Sequence, residues 1–175
     1  MPLQENQMPN NVEKVMSGLA GAAKDIKAGF KGLTGVFMHL MEEHGKVGAL
    51  IKRVVKSDDE AVRAELYPTI RKELLAHEKG ELKVVYPALA HLPGVSGIEL
   101  VHAREASELE IALADVDALA FSDAAWGLAF QRLADLVDVH VEHEENDFFP
   151  KAQAALGEER AKRLLPEFEA AKKQG

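Results

Sequence analysis

The sequence predicts an all-α protein, an antiparallel up-down four-helix bundle. Three observations carry that expectation. Apolar residues recur at steps of three and four along nearly the whole chain, the period of one helix face and not the period of a strand. Ala, Leu and Glu are the commonest residues while aromatics make up 6%, a mixture that favours helix over sheet. Pro, Gly and Ser-Asp signals break the pattern into four long segments with short connections, which neighbouring helices need to pack side by side.

Residues 1–33 read as an N-terminal extension with an accessory helix over about 12–30, interrupted by glycines at 18, 21, 29, 32 and 35. The bundle is expected over 34–155. Thr34 is placed as an N-cap for a first helix running to Lys56, and Ser57-Asp58-Asp59 marks the next turn. A second helix is expected to Leu89, kinked or restarted at Pro68, and the segment His91-Leu92-Pro93-Gly94 ends it. A third spans about Ser96 to Leu119. A fourth starts at Ser122-Asp123 and continues through Phe149 and past Pro150. Residues 156–175 are expected to form a short helix, packed on the bundle through Leu164, Leu165 and Phe168.

The bulk properties exclude several functions. A net charge of −8 argues against a nucleic-acid partner, which needs a basic face. No apolar run is long enough to span a bilayer, and a cytoplasmic protein with no membrane partner is expected. There is no cysteine, so disulfides, iron–sulfur clusters and thiolate zinc sites are ruled out, and any metal must be held by nitrogen and oxygen.

Helical phase sorts the seven histidines. The first helix carries the line Phe37, Leu40, His44, Val47, Ile51; the second carries Ile70, Leu74, His77, Glu81, Val85. The third gives Ile98, His102, Ala106, Leu109, and the fourth Phe130, Leu133, Val137, His140, Glu144, Phe148. Each bundle helix thus places one histidine in its apolar stripe, and two add a carboxylate one turn later. Burying these groups without a partner is costly. A pair of cations at the centre would satisfy them, with imidazoles capping each ion and a carboxylate bridging the two.

An internal repeat supports the pairing. His77, Glu81, Tyr86 and Pro87 recur as His140, Glu144, Phe149 and Pro150, always 63 residues on. The stretches LMEEHGKVGALI, HEKGELKVVYPAL, ELVHAREASEL and HVEHEENDFFP resemble the four helices of the hemerythrin-like, or HHE cation-binding, family, over about residues 34–155. The resemblance implies an oxo- or hydroxo-bridged pair of non-haem iron ions. Matched by position, it implies His44, His77, Glu81, His102, His140 and Glu144 as ligands, both glutamates bridging. The pattern departs where hemerythrins carry a second histidine on the third helix; Ile98 and Ala106 flank His102 instead. Water or a further carboxylate, Glu78 or Glu99, is expected to fill that place.

Other residues read more plainly. His39 and Glu43 lie on a polar line and are expected to face solvent. His143 is expected beside the site or on the surface, His91 in a turn, and Tyr86, Phe149 and Trp126 in the core. Iron, manganese, zinc and cobalt all suit nitrogen and oxygen donors, and iron is the choice the family implies. The function expected is binding of dioxygen or a related diatomic or peroxide ligand, for sensing or storage. The alternative is an enzyme of oxidative or nitrosative stress that reduces nitric oxide or peroxide or donates iron to damaged clusters.

Overall fold

The computed structural model describes residues 31–174 and, ahead of them, residues 20, 21, 23, 24 and 29. The accessory helix expected over 12–30 therefore falls largely outside the described residues, although the five described there are helical. In chain order the helices are α1 (Gly35–Val55), α2 (Glu60–Gly80), α3 (Tyr86–Leu89), α4 (Ile98–Asp117), α5 (Trp126–His143), α6 (Phe149–Leu156) and α7 (Glu158–Lys173). Two π-helical turns, Glu81–Val85 and Glu144–Phe148, join α2 to α3 and α5 to α6. No strand occurs among the described residues. No helix among them is long and apolar enough to cross a membrane.

Local chemistry sets most boundaries. Asp59 caps α2 by accepting a hydrogen bond from the Ala61 amide at 2.8 Å. Thr34 stands at the N-cap of α1, but its side chain does not cap the helix. Its amide is instead held by Gln153 Oε1 at 2.8 Å. Helix α2 runs through Pro68 without a restart. The interruption comes later, where the sequence repeats its aromatic-Pro pair.

Proline lacks an N–H, and its ring crowds the carbonyl four residues back. Ahead of Pro87 the Tyr86 amide reaches the Glu81 carbonyl, and ahead of Pro150 the Phe149 amide reaches that of Glu144. Each turn widens by one residue, which relieves the crowding. Each π-turn also begins on the glutamate of an HxxxE pair, so the distortion falls beside the polar cluster.

Helix α4 packs on α5, α1 on α2 and α5, and α7 on both α1 and α2. This side-by-side packing is consistent with a helical bundle. The C-terminal helix is not short: it runs for 16 residues and buries Ala161, Leu164, Phe168 and Ala171. Gly80 lets it approach, since a Cβ there would lie 2.4 Å from the Phe168 ring.

Two apolar cores result. One gathers Phe37, Leu40, Met41, Tyr86, Phe148, Phe149 and Phe168. The other gathers Ile51, Tyr67, Ile70, Leu113, Trp126, Phe130 and Leu133. Along α1 the first core ends at Met41 and the second begins at Val47, with His44 between them. The buried polar residues lie in that intervening layer.

Candidate metal centre

The helical lines bring all six expected residues into that layer. His44, His77, His102 and His140 are at most 8% exposed, Glu144 is 1% exposed, and Glu81 is fully buried. Their donor atoms form two groups. Glu78, Glu81, His102 and His140 offer one set and His44, His77 and Glu144 another, with all atoms of each set within 4.8 Å of one another.

The groups share carboxylates. Glu144 turns Oε1 to His102 Nε2 at 2.8 Å and to His140 Nε2 at 3.3 Å, while its Oε2 lies 3.0 Å from His44 Nε2. Glu81 Oε2 stands 3.4 Å from His102 Nε2 and 3.6 Å from His77 Nε2. Glu78 Oε1 approaches His140 Nε2 at 3.0 Å. Of the two carboxylates considered for the place of a missing histidine, Glu78 therefore joins the cluster, and Glu99 is exposed on α4.

Behind the imidazoles stands a ring of acceptors that the apolar lines did not disclose. Glu145 Oε1 lies 3.1 Å from His44 Nδ1, Glu43 Oε2 lies 2.9 Å from His77 Nδ1, and Glu105 Oε2 lies 3.0 Å from His140 Nδ1. In a neutral imidazole, a carboxylate that accepts from Nδ1–H leaves Nε2 unprotonated, the form a metal ligand requires. Glu105 holds His143 Nδ1 as well, at 2.6 Å, so His143 is both beside the site and 60% exposed.

Glu43 and His39 do not face open solvent as expected. They are 15% and 24% exposed, because α7 covers them with Glu169 and Lys172. The sequence signal for Glu105 was its place three residues after His102, on the same helix face. Glu145 gave no such signal beyond following Glu144.

Charge is finely opposed here. Burial pushes the carboxyls of Glu81 and Glu144 up, and for Glu144 the neighbouring Glu81 adds to the effect. Burial holds His44 down to about 4 and, with the charge of His140, His102 likewise. Burial opposes the charged form of His140 too. The charge of Glu144, the hydrogen bond to Glu105 and the adjacent Glu78 carboxylate override it, pushing that imidazole up to about 12. Glu105 and Glu145 are drawn down to about 2 against the cost of burial, by His140 and His143 in one case and His44 and Lys24 in the other.

Several buried atoms at the centre have no hydrogen-bond partner: Glu78 Oε2, Glu81 Oε1, His140 Nε2 and both oxygens of Glu144. Such orphans are rare and call for a reason. These five atoms lie close to neighbouring donors and acceptors without meeting them along hydrogen-bond directions, so a cation among them would satisfy the set.

A family model described as hemerythrin HHE cation binding domain matches residues 24–152. The chain belongs to this family. The match covers α1 to α5, the first half of α6 and every histidine of the cluster. Together with the His/Glu geometry it makes this a hemerythrin-like metal-binding domain. The chain is 28% identical over 168 residues to a DNA nickase of Nostoc sp. (strain PCC 7120), with 89% of this chain and 48% of that protein covered. The hemerythrin-like chain thus spans about half the length of that relative. No solved structure matches it.

Proposed function

We propose that this protein holds two iron ions in an up-down four-helix bundle of α1, α2, α4 and α5 and binds dioxygen or a related small ligand there. Glu78, Glu81, His102 and His140 would hold one ion, and His44, His77 and Glu144 the other. The observation that carries this reading is Glu144, whose two oxygens face different histidine groups, as a bridging carboxylate must. Bound iron would supply redox activity and open positions for a small ligand.

The surroundings support a ligand that must be small and reach the centre. A cavity of about 340 Å³ borders His44, His77, Glu78 and His140, with Val47, Leu74, Leu109 and Val137 on one side and Glu43, Lys46 and Glu73 also in its lining. Its aliphatic side suits an uncharged guest. A DNA backbone is a poor fit to such a centre, since the donors are buried and the chain carries a net charge of −8. The nicking activity of the relative is therefore not carried over.

Elemental analysis of untagged protein, with optical spectra before and after dithionite and air, tests the reading. About two irons per chain and a reversible oxygen-dependent band are expected, as for carboxylate-bridged sites in bundles. Glu81→Ala and Glu144→Ala should each lose metal. Turnover with a reductant and nitric oxide or peroxide would move the assignment to a stress enzyme. No bound metal after anaerobic reconstitution with ferrous iron would overturn it.

A further inference from the structure

Three histidines of the centre lean on carboxylates, and the groups behind those carboxylates differ between the two halves. Glu145 is 2% exposed, and Lys24 Nζ donates to both its oxygens at 2.7 Å. Glu43 accepts from His77 at Oε2, and Lys172 Nζ donates to its Oε1, which the His39 imidazole also approaches at 3.3 Å. Glu105, behind His140, is instead met by the exposed imidazole of His143.

Both lysines come from segments flanking the four histidine-bearing helices. Lys24 precedes α1, where Gly45 admits the chain so closely that a Cβ would lie 2.6 Å from the Ala20 carbonyl oxygen. Lys31 adds a second hold there, donating to the Glu145 backbone carbonyl at 2.6 Å. Lys172 lies on α7, 5.5 Å from the centre of the Phe168 ring that packs on Gly80.

We propose that Lys24 and Lys172 are positioning residues for one ion position alone, the one formed by His44, His77 and Glu144. The proposal rests on the di-metal reading above. A buried carboxylate needs a cationic or hydrogen-bonding partner to keep its place. With one oxygen of Glu43 tied to Lys172 and the other to His77, the group cannot rotate without breaking a bond. Glu145 is pinned by Lys24 on both oxygens, with His44 meeting Oε1. The pinned acceptors fix ring orientation and tautomer, so both flanking segments are coupled to the same ion.

The test uses the full chain with Lys24→Met and Lys172→Met, the conservative Lys24→Arg and Lys172→Arg, and Lys162→Met as a control. Lys162 pairs with Glu158 on the exposed side of α7. Two readouts are taken: imidazole nitrogen NMR of the metal-free protein, and anaerobic titration with cobalt(II). The Nδ1–H signal of His44 should move in Lys24→Met and that of His77 in Lys172→Met, with His140 unchanged. One of two cobalt equivalents should weaken by about tenfold, the low end for outer partners of metal ligands. The arginine variants should restore it, and the control should match wild type.

Unmoved imidazole signals, or an equal loss from both equivalents, would overturn the proposal. If a methionine variant does not fold, the arginine variants carry the test, because changed geometry with retained charge should still shift the corresponding Nδ1–H signal. Wild-type protein that takes up no cobalt would overturn the di-metal reading by itself. The positioning claim would then stand or fall on the imidazole signals.

Discussion

The α2 half of the site and the α5 half start from the same local device. Each has a histidine, a glutamate four residues on, a π-turn opening at that glutamate, and an aromatic-Pro pair closing it. The neighbours then diverge. His77 is backed by Glu43 of α1 with Lys172 of α7 behind it, while His140 is backed by Glu105 of α4 with His143 behind it. Residue 85 is Val where its counterpart 148 is Phe, and residue 86 is Tyr where 149 is Phe. The repeat thus supplies two equal sets of donors, and the packing around them makes the two halves chemically unequal.

The largest way to break the comparison is through the core. Phe148 packs against Tyr86, His102 and Phe149, with ring centroids 5.5–5.7 Å apart. Phe148→Ala should cost about 3–5 kcal/mol in denaturant unfolding, and Val85→Ala distinctly less, because fewer atoms leave the core. Equal losses would mean that the halves are packed alike. Next come the acceptors. Glu43→Gln and Glu105→Gln should each weaken metal binding by about 10–100-fold, but at different equivalents of a stepwise titration. His143→Ala should retain full metal loading.

The pH dependence of the metal-free protein sharpens the same contrast. In the fold His140 is pushed up to about 12 from an ordinary value near 6.5, so its contribution to stability is whole below 6.5 and is lost as pH rises toward 12. The raised carboxyls of Glu81 and Glu144 work in the same direction, since the fold favours their protonated forms. His44 and His102, held to about 4, contribute above 6.5 and lose that contribution as pH falls toward 4. Above pH 6.5 only the losses remain. Tm of chelator-treated protein should therefore fall from pH 6.5 to 9, and metal loading should flatten the trend because the cation replaces the protons.

The smallest expected effect concerns Tyr86, whose buried hydroxyl has no partner among the described residues. Tyr86→Phe makes the first half match the second. It should leave Tm unchanged or raise stability by on the order of 1 kcal/mol, since an unsatisfied buried hydroxyl carries a desolvation cost. A clear loss of stability or metal would show that the hydroxyl takes part in the site.

The sequence by itself determined the helical class, most helix limits, and the histidine and glutamate donors facing the interior. These depend on a period of 3.6 residues and on caps and breakers, all within a single helix. The aromatic-Pro pair beside each π-turn is visible in the sequence as a repeat, not as a backbone form. Tertiary structure alone chose Glu78 over Glu99, drew Glu43 and His39 under α7, and set Glu145, Glu105, Lys24 and Lys172 behind the imidazoles. Those contacts all join residues more than 30 positions apart, that of Glu78 with His140 included. They depend on how far each helix is rotated and shifted against its neighbour, and the period of one helix carries no record of that.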